Sequence, residues 1–271
     1  MNYRCHALRM GAGLRSITEG DAEKLCSFIR GAVASCGAKG ATVGISGGVD
    51  SAVVAKLCAD ALGGGKVLCV FMPVKNTPVA DFRQTMEMCR AWGTRYAVVD
   101  IQRATDAFSA MLLTGKEAPL EKGNIMARCR MIVLYDKAKK ERHLVFGTTN
   151  RSELLMGYMT KHGDGAADVM PMAGLYKTQV WELARLVGVP GDIISKVPTA
   201  GLWEGQTDEK EMGISYRDLD LALDRMEHGG TDADMAEVAG ITPEKAASLR
   251  SQVAGMKHKR SPPLVPDGVT F

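Results

Sequence analysis

Long apolar runs are missing from this sequence, and no stretch approaches the roughly 18 residues of a membrane-spanning helix. The N-terminal residues include Arg4 and Arg9 but lack the apolar core of about 7 residues that a secretory signal peptide needs. Proline- or serine-rich linkers and low-complexity blocks are absent as well. We therefore expect a cytoplasmic protein without membrane contact, in which residues 1–271 form one domain and residues 1–16 a flexible or docking arm.

Cysteine and histidine are too dispersed for a disulfide framework or a zinc site. The seven cysteines contain no C-x-x-C pair, and the five histidines contain no H-x-x-x-H pair. Several cysteines have apolar neighbours, as in Leu68-Cys69-Val70. We expect the cysteines to be reduced residues of the core.

An excess of charge of one sign is also lacking, since 34 basic and 31 acidic residues give a net charge of +3. The basic residues are mostly scattered, which argues against a nucleic-acid partner. The densest basic run, residues 257–260, is best interpreted on charge alone as a solvated tail. With 46% hydrophobic residues, the chain is long and apolar enough to bury a full core.

Two common phosphate-binding loops are absent, because the chain has neither a Walker A sequence nor a G-x-G-x-x-G that follows a strand. The chain therefore lacks the loops that usually support kinase-type transfer of the γ-phosphoryl group and dinucleotide redox chemistry. What the chain has instead is segment 44–51, which follows an apolar stretch and precedes an Ala/Val-rich one. Its residues are Gly44, Ile45, Ser46, Gly47, Gly48, Val49, Asp50 and Ser51.

Segment 44–51 has the composition of an anion-binding loop. A glycine-rich turn between a strand and a helix aims backbone N–H groups and a helix N-terminus at an anion. Two serine hydroxyls add donors, and Asp50 makes sense there if it holds a Mg²⁺ ion that bridges to phosphates. An ordinary capped turn between strand and helix is the plainer alternative. Paired glycines, two serines and an acid within one short segment favour the anion site.

The same segment resembles the S-G-G-x-D-S loop of the N-type ATP pyrophosphatases. That resemblance implies cleavage between the α- and β-phosphates of ATP, which yields an adenylated intermediate and pyrophosphate. The loop alone leaves the substrate open.

Hydrophobic periodicity predicts an α/β fold. The predicted strands are 41–45, 66–72, 95–100 and 143–146. The predicted helices are 21–34, 51–62, 80–92, 103–113, 123–140 and 176–187, with a helical remainder over 216–257 and loops over 160–171 and 191–211. Strands 66–72 and 95–100 are nearly continuous apolar runs, so we expect both to be buried in a parallel sheet with helices on both faces. Ligands bind beyond the carboxyl ends of such strands, where segment 44–51 lies.

Three later segments carry more polar detail than folding requires. Residues 124–131 place Arg128 and Arg130 on a helix, residues 147–153 follow a strand as segment 44–51 does, and residues 157–168 combine a lysine with two acids. Surface arginines and an acidic glycine-rich turn are the plainer explanations. For one of the two arginines we expect the plainer explanation to hold.

Together with segment 44–51, these stretches resemble the motifs of NAD⁺ synthetases, in the family's order. The remaining matches are Lys177-Thr178-Gln179-Val180, Pro198-Thr199-Ala200, Gln206-Thr207-Asp208-Glu209 and His258-Lys259-Arg260. The resemblance covers roughly residues 20–265. It implies an adenine nucleotide α-hydrolase-like (Rossmann-like) fold with a helical C-terminal part. It also implies a ligase of NAD biosynthesis that uses ATP and ammonia to amidate deamido-NAD⁺ through an acyl adenylate, releasing AMP and pyrophosphate as it completes the last step.

The resemblance assigns roles to individual residues. Mg²⁺ would be held by Asp50 and Glu153. ATP would contact residues 44–51, Thr148, Lys177 and Thr199. Deamido-NAD⁺ would contact Arg128, Lys161, Asp168, His258 and Lys259. The catalytic residues would be Asp50 and Asp168, the latter by orienting or deprotonating the incoming ammonium.

Departures from the family pattern are few. Val49 stands where isoleucine is commoner, His162 stands where an aromatic residue is frequent, and residues 75–81 match no family pattern. The length of 271 residues leaves no room for the amidase domain of glutamine-dependent members, so we expect free ammonia to be used unless a separate amidase subunit supplies it. The resemblance further implies a homodimer with deamido-NAD⁺ bound where the subunits meet, and helix 123–140 is a plausible interface element.

Two alternatives stay open from the sequence. A sister enzyme of the same loop class would amidate a nucleotide base or thiolate RNA, but the scattered basic residues and the lack of paired cysteines argue against it. A nucleotide-binding regulatory protein would keep the fold without the chemistry. Such a protein would have no need for Asp50, Glu153 and Lys177.

Overall fold

The computed structural model describes residues 14–115, 118–203, 205–263 and 265–266. The α-helices within these residues are α1 Glu19–Ser35, α2 Val49–Leu62, α3 Val79–Ala91, α4 Gln102–Met111, α5 Pro119–Glu141, α6 Arg151–Met156, α7 Lys177–Leu186, α8 Gly191–Ile194, α9 Asp208–Met212, α10 Tyr216–Glu227, α11 Asp232–Ala239 and α12 Pro243–Gly255. The strands are β1 Ala41–Gly44, β2 Val67–Phe71, β3 Arg95–Val98 and β4 Leu144–Phe146. Short 3-10 helices span Gly64–Lys66 and Met256–Lys259.

The strands form one parallel sheet in the order β3-β2-β1-β4. Ala41 of β1 lies opposite Val67 of β2 on one side and Leu144 of β4 on the other. Strand β2 is buried along its whole length, as its unbroken run of apolar residues predicts. The parallel sheet expected from the alternation of strands and helices is therefore confirmed.

Alternate side chains of β2 pack into different clusters, because successive residues of a strand point to opposite faces. Cys69 and Phe71 belong to the largest apolar cluster, which also contains Ile29 of α1 and Leu183 of α7. Leu68 and Val70 pack instead with residues of α5 such as Ile125 and Cys129. Helices thus cover both faces of the sheet, as predicted.

Strand β3 corrects one expectation. We expected strand 95–100 to be buried on both faces, but β3 is an edge strand in which Arg95, Tyr96 and Val98 are exposed. The run of apolar residues predicts a strand correctly. It does not tell at which position of the sheet the strand lies, because that depends on pairing with distant segments.

The helical C-terminal part has its own apolar cluster. Leu219 and Leu223 of α10, Met235 of α11 and Leu249 of α12 pack around the fully buried Tyr216. The cluster also includes Leu155 and Met156 of α6. It therefore joins the C-terminal helices to the segment that follows β4.

Several boundaries differ from the prediction for identifiable reasons. Helix α5 begins at Pro119, four residues before the predicted start, with proline in the first turn, where its missing N–H has no cost. Short helix α8 and most of α9 lie in the stretch 191–211 predicted as a loop, and α6 lies in a stretch for which the sequence predicts no element. Helix α6 begins with a reciprocal capping box between Asn150 and Glu153, a signal that the sequence contains.

The cysteines are mostly as predicted. Of the described cysteines, Cys36 alone is exposed, and all are free thiols; those that are buried are Cys26, Cys58, Cys69, Cys89 and Cys129. The exposure of Cys36 departs from the expectation of core cysteines, because it caps the C-terminus of α1. Cys5 lies outside the described residues. None of the described helices is both long and apolar enough to cross a membrane.

Of the predicted N-terminal arm, residues 14–16 are described, and they are docked. Arg15 forms a bidentate ion pair with Asp21 of α1, at 2.8 and 3.1 Å. The Arg15 carbonyl accepts a hydrogen bond at 2.9 Å from Gln179 of α7. Residues 1–13 lie outside the described part of the chain.

The sheet order places the loops that follow β1 and β4 side by side at the carboxyl ends of these strands. The chain moves from β1 to β2 to β3 in one direction, then returns to place β4 on the other side of β1. This reversal between β1 and β4 is the switch point at which open α/β sheets bind ligands, outside the carboxyl ends of the strands. The segments that follow Gly44 and Phe146 meet there.

Candidate active site

The first element of the site is the turn between β1 and α2. Residues 45–48 form the turn, and α2 begins at Val49, so the end of segment 44–51 is the first turn of a helix. Gly47 has a φ of +85°, a left-handed conformation that favours glycine. Ser46 N donates to the Ser51 hydroxyl at 3.1 Å, which ties the two ends of the turn together. The turn therefore stands at a helix N-terminus, where main-chain N–H groups and the helix dipole favour an anion.

Asp50, in the first turn of α2, is held by two side chains from distant segments. Lys177 Nζ donates to Asp50 Oδ2, and Asn150 Nδ2 donates to Asp50 Oδ1 at 3.0 Å. The Lys177 side chain is 2% exposed, and its ammonium lies 5.3 Å from the centre of the Tyr216 ring. Burial opposes the charge of Lys177, but the carboxylates of Asp50 and Glu153 outweigh it and raise the lysine pKa. The ammonium is thus charged and paired.

Glu153 brings a second carboxylate to the same ammonium. Its Oε1 lies 4.0 Å from Lys177 Nζ, and its Oε2 accepts a hydrogen bond from Asn150 N at 3.2 Å. Burial, followed by the negative charge of Asp50, raises the pKa of Glu153 to about 8 despite the nearby ammonium. Near neutral pH Glu153 therefore keeps its proton, and the Lys177 ammonium pairs with the Asp50 carboxylate.

Asn150 connects the parts of this centre. It follows β4, it caps α6 by accepting from Glu153 N at 3.0 Å, and its side-chain amide reaches Asp50 across the switch point. One fully buried residue thus orients both carboxylates. The sequence signal N-x-x-E predicts the cap, whereas the contact with Asp50 depends on the sheet order.

A buried aspartate of α10 fixes the N-terminus of α7, which carries Lys177. Asp220 is fully buried, and its Oδ2 accepts from the backbone N and the hydroxyl of Thr178, each at 2.8 Å. Its Oδ1 accepts from the Ser152 hydroxyl, which in turn accepts from Lys177 N at 3.0 Å. Burial raises the pKa of Asp220 to about 6. The C-terminal helices therefore position the lysine of the site.

The carboxylates fit a divalent cation that also contacts a substrate. Asp50 and Glu153 supply the hard oxygen ligands that Mg²⁺ prefers, and a cation there would favour the ionised form of Glu153, whose pKa is raised by burial and by the charge of Asp50. Asp208 adds a buried carboxylate whose Oδ2 accepts from the Tyr216 hydroxyl at 3.0 Å, while its Oδ1 has no hydrogen-bond partner. In the described part of the chain, no three Asp, Glu, His or Cys side chains are arranged to hold a metal unaided. A bound Mg²⁺ would therefore complete its shell with substrate oxygens and water.

The two threonines predicted to contact ATP lie on loops at this end of the molecule. Thr148 is half-buried in the segment after β4. Thr199 is exposed in the loop between α8 and α9, and its hydroxyl accepts from Gly201 N at 3.0 Å. The contacts of the described residues join neither threonine to Asp50 or Lys177, so their roles stay predictions.

The structure brings together four of the residues predicted to bind deamido-NAD⁺. Arg128 of α5 donates to the Lys161 carbonyl at 3.3 Å, and Lys161 Nζ donates to the His258 carbonyl at 2.8 Å. Lys259 Nζ donates to the carbonyls of Gly157 at 2.7 Å and Met159 at 2.9 Å. These contacts join α5, the loop after α6 and the C-terminal 3-10 helix into one basic strip.

The fifth residue, Asp168, lies apart from that strip. Val145 N of β4 donates to its Oδ2 at 2.8 Å, and the hydroxyl of Tyr135 on α5 donates to its Oδ1 at 3.4 Å. The side chain is exposed at the edge of the sheet. Among the described contacts none joins Asp168 to Asp50, so its catalytic role also stays a prediction.

The basic run 257–260 is not the solvated tail that its charge alone predicts. Lys259 binds two carbonyls of the loop after α6, and Arg260 Nη2 donates to the Val253 carbonyl at 2.8 Å. These hydrogen bonds dock the run against α6 and α12. Charge density alone therefore gives the wrong interpretation, because the carbonyl partners of Lys259 come from about a hundred residues away.

Sequence reasoning assigned no role to four residues that build the centre. They are Asn150, Asp208, Tyr216 and Asp220. Asn150 and Asp208 lie inside stretches that the motifs single out, so their positions carried a signal. Tyr216 and Asp220 lie in an amphipathic helix whose pattern predicts only packing.

The arrangement can bind a polyphosphate and a cation at one point. The turn offers N–H donors, Lys177 offers a positive charge, and Asp50 with Glu153 offers metal ligands beside them. Charge neutralisation and alignment of this kind are the main means by which proteins accelerate reactions at phosphorus.

Comparison with known proteins agrees with this geometry. The family model for NAD synthase matches residues 21–263 of the chain. The NH(3)-dependent NAD(+) synthetase of Thermococcus kodakarensis is 45% identical over 252 residues, which cover 90% of this chain and 96% of that protein.

Solved structures show the same likeness. The NMN synthetase of Francisella tularensis superposes with a TM-score of 0.81 at 33% identity, and the match covers 92% of this chain and 98% of that one. The NH3-dependent NAD synthetase of Campylobacter jejuni, solved with a nitrate ion, superposes with a TM-score of 0.77 at 29% identity and the same coverage.

Proposed function

The chain belongs to the NAD synthase family, and from that membership we propose how its site performs the reaction. It is a ligase that forms a C–N bond in the synthesis of NAD⁺, with ammonia as the source of nitrogen. We propose deamido-NAD⁺, ATP and ammonia as substrates, and NAD⁺, AMP and pyrophosphate as products. The observation that carries this proposal is the cluster of Asp50, Lys177 and Glu153 beside the turn before α2.

The first proposed step makes the carboxylate of deamido-NAD⁺ reactive. A carboxylate oxygen attacks the α-phosphorus of ATP, the bond to the β-phosphate oxygen breaks, and an acyl adenylate and pyrophosphate form. Ser46, Ser51 and the amides of the turn hold the pyrophosphate as it leaves. The Lys177 ammonium stabilises the charge that accumulates on the phosphates.

Asp50 and Glu153 are the proposed ligands of a Mg²⁺ ion. When bound, the ion neutralises phosphate charge and aligns the phosphates. In the structure both carboxylates face the Lys177 ammonium. With an ion held by Asp50 and Glu153, the Lys177 ammonium would be available to pair with a phosphate oxygen as well as with Asp50.

The second proposed step is attack by ammonia on the acyl carbon. The carbon–oxygen bond to AMP breaks, nitrogen loses a proton, and the amide of NAD⁺ forms. Asp168 is proposed to orient the ammonium or to accept its proton, as the family resemblance implies. No cysteine or serine nucleophile is needed.

The basic strip of Arg128, Lys161, His258 and Lys259 is the proposed contact surface for deamido-NAD⁺. Its contacts hold together three separate segments at fixed distances. Cationic side chains of this kind suit the two phosphates of a dinucleotide.

We also propose a homodimer that buries an apolar surface of β3, α4 and α5. Tyr96 and Val98 of β3, Phe108 of α4 and Ile132 of α5 are between 39% and 53% exposed. Large apolar side chains that are exposed in this way often mark an interface. One domain for residues 1–271 and a cytoplasmic location complete the proposal.

A mononucleotide substrate is the second candidate, since the structural likeness to an NMN synthetase is as high as that to an NAD synthetase. Purified protein with ATP, Mg²⁺ and ammonium should form NAD⁺ and AMP from deamido-NAD⁺, with a higher kcat/KM than for nicotinic acid mononucleotide. A higher kcat/KM for nicotinic acid mononucleotide would favour the second candidate, a mononucleotide substrate. AMP without an amidated product would point to a sister enzyme, and the absence of AMP would refute the ATP-dependent step.

A further inference from the structure

The segment after α8 places an ammonium directly on the anion-binding turn. Lys196 Nζ donates to the Gly47 carbonyl at 2.9 Å and to Asp81 Oδ1 at 2.8 Å. Asp81 lies in the first turn of α3. Three segments far apart in the sequence therefore meet at the middle of the turn that the proposed reaction uses.

Asp81 is in close contact with the turn as well as with the lysine. A Cβ built on Gly47 would lie 3.1 Å from the Asp81 Cβ, a tight contact that the glycine avoids. A second contact joins the same two segments, since Gln84 of α3 donates to Asp192 of α8. The start of α3 and the segment around α8 are thus fastened to each other across the turn.

The charges at this point are balanced only while the turn holds no anion. Lys196 and Asp81 neutralise each other, and their side chains are 30% and 25% exposed. Pyrophosphate on the turn would bring several negative charges close to the Asp81 carboxylate, which repels them. The same anion would attract the Lys196 ammonium more strongly than a single carboxylate does, and the flexible stem of lysine allows the move.

We propose that Lys196 is a binding residue for the departing pyrophosphate, and that Asp81 is the partner that holds it on the turn until the anion is present. This inference rests on the proposed function, because it takes the turn to be the place where pyrophosphate forms. It also identifies Asp81, at the end of the segment 75–81 that matches no family pattern, as a residue that closes the site.

The competing explanation is a structural clasp, in which the ion pair of Lys196 and Asp81 only fastens α3 to the turn. Separate substitution of the two residues distinguishes this explanation from pyrophosphate binding. If the pair only fastened α3 to the turn, loss of either partner would have the same effect. If Lys196 binds pyrophosphate, loss of the lysine weakens binding, while loss of the aspartate frees the ammonium and removes a repulsive charge.

The experiment is calorimetric titration of the protein with inorganic pyrophosphate in the presence of Mg²⁺. Lys196→Gln should lose affinity by about tenfold or more, as expected for a charged hydrogen-bond donor. Asp81→Asn should bind as tightly as the unmodified protein or more tightly. Lys196→Arg should retain most of the affinity, and it reports on the role of the charge even if Lys196→Gln does not fold.

The matched control is Lys210→Gln, which removes one positive charge from an exposed lysine on nearby α9. Its affinity should stay within about twofold, because exposed charges interact weakly. Equal losses in Lys196→Gln and Asp81→Asn would establish the clasp and overturn the inference, as would unchanged affinity in Lys196→Gln. If the unmodified protein bound no pyrophosphate, the proposed function itself would be refuted. Failure of the inference about Lys196 would be seen only in the comparison of the variants with the unmodified protein.

Discussion

Removal of the Lys177 ammonium should destabilise the ligand-free protein, and Mg²⁺ should restore much of the loss. Lys177→Met keeps the length of the side chain but deprives Asp50 and Glu153 of the cation they share. The lysine side chain is 2% exposed, so little water can take the place of its charge. Two neighbouring carboxylates would then remain without a partner.

The expected magnitude follows from the burial of these groups. Loss of one partner from a buried ion pair costs about 3–5 kcal/mol. The Asp50 and Glu153 side chains are 19% and 17% exposed, which places the loss near the lower end, about 3 kcal/mol.

The loss should depend on pH with a definite sign. The pKa of Glu153 is raised to about 8 in the folded protein, so the folded state binds more protons than the unfolded state as the pH rises from the ordinary glutamate range to about 8. Stability therefore falls with rising pH over this window. Lys177→Met raises the same pKa further, which extends the fall to higher pH, so the full loss is reached only at about pH 9.

Urea denaturation of the unmodified protein and of Lys177→Met, at about pH 6 and about pH 9 and with or without Mg²⁺, measures these effects. The double variant Lys177→Met/Asp50→Asn should lose less than Lys177→Met alone, because it removes the unpaired charge. Lys140→Met is the matched control, since its ion pair with Asp136 is exposed and should contribute little. Full stability of Lys177→Met at about pH 9 without Mg²⁺ would refute the reasoning.

Three further predictions concern the same centre. Asp50→Asn should abolish AMP formation and leave the circular dichroism spectrum unchanged, because the amide keeps the shape but not the charge; near-normal turnover would show that the metal role is misassigned. The Mg²⁺ concentration for half-maximal turnover should fall as the pH rises through about 8, where Glu153 loses its proton, and a pH-independent value would contradict this. Asp220→Ala should lower the free energy of unfolding by about 3 kcal/mol, since it leaves three donors of Ser152 and Thr178 without an acceptor; a change below about 1 kcal/mol in urea denaturation would count against it.

The parts of the fold that local sequence determines could be predicted. Strand β2 and the turn after β1 follow from residues that are adjacent in the chain, and the structure places both as expected. The edge position of β3 could not be predicted, because apolar runs of central and edge strands look alike.

The site shows the same division between local and distant information. Lys177 and Asp50 are 127 positions apart, and Lys196 and Asp81 are 115 apart. Their pairing depends on the sheet order, which no local pattern contains. The resemblance to a family supplied Lys177 by its motif, whereas Lys196 and Asp81 appear only when the segments are folded together.

The central claim is that the site adenylates a carboxylate, and transfer of oxygen tests it most directly. Deamido-NAD⁺ labelled with ¹⁸O in both carboxylate oxygens is incubated with the protein, ATP, Mg²⁺ and ammonium, and the products are analysed by mass spectrometry. Attack on the α-phosphorus predicts one ¹⁸O atom in the phosphate of AMP and none in pyrophosphate. Unlabelled AMP, or ADP together with ¹⁸O-labelled inorganic phosphate, would contradict the account.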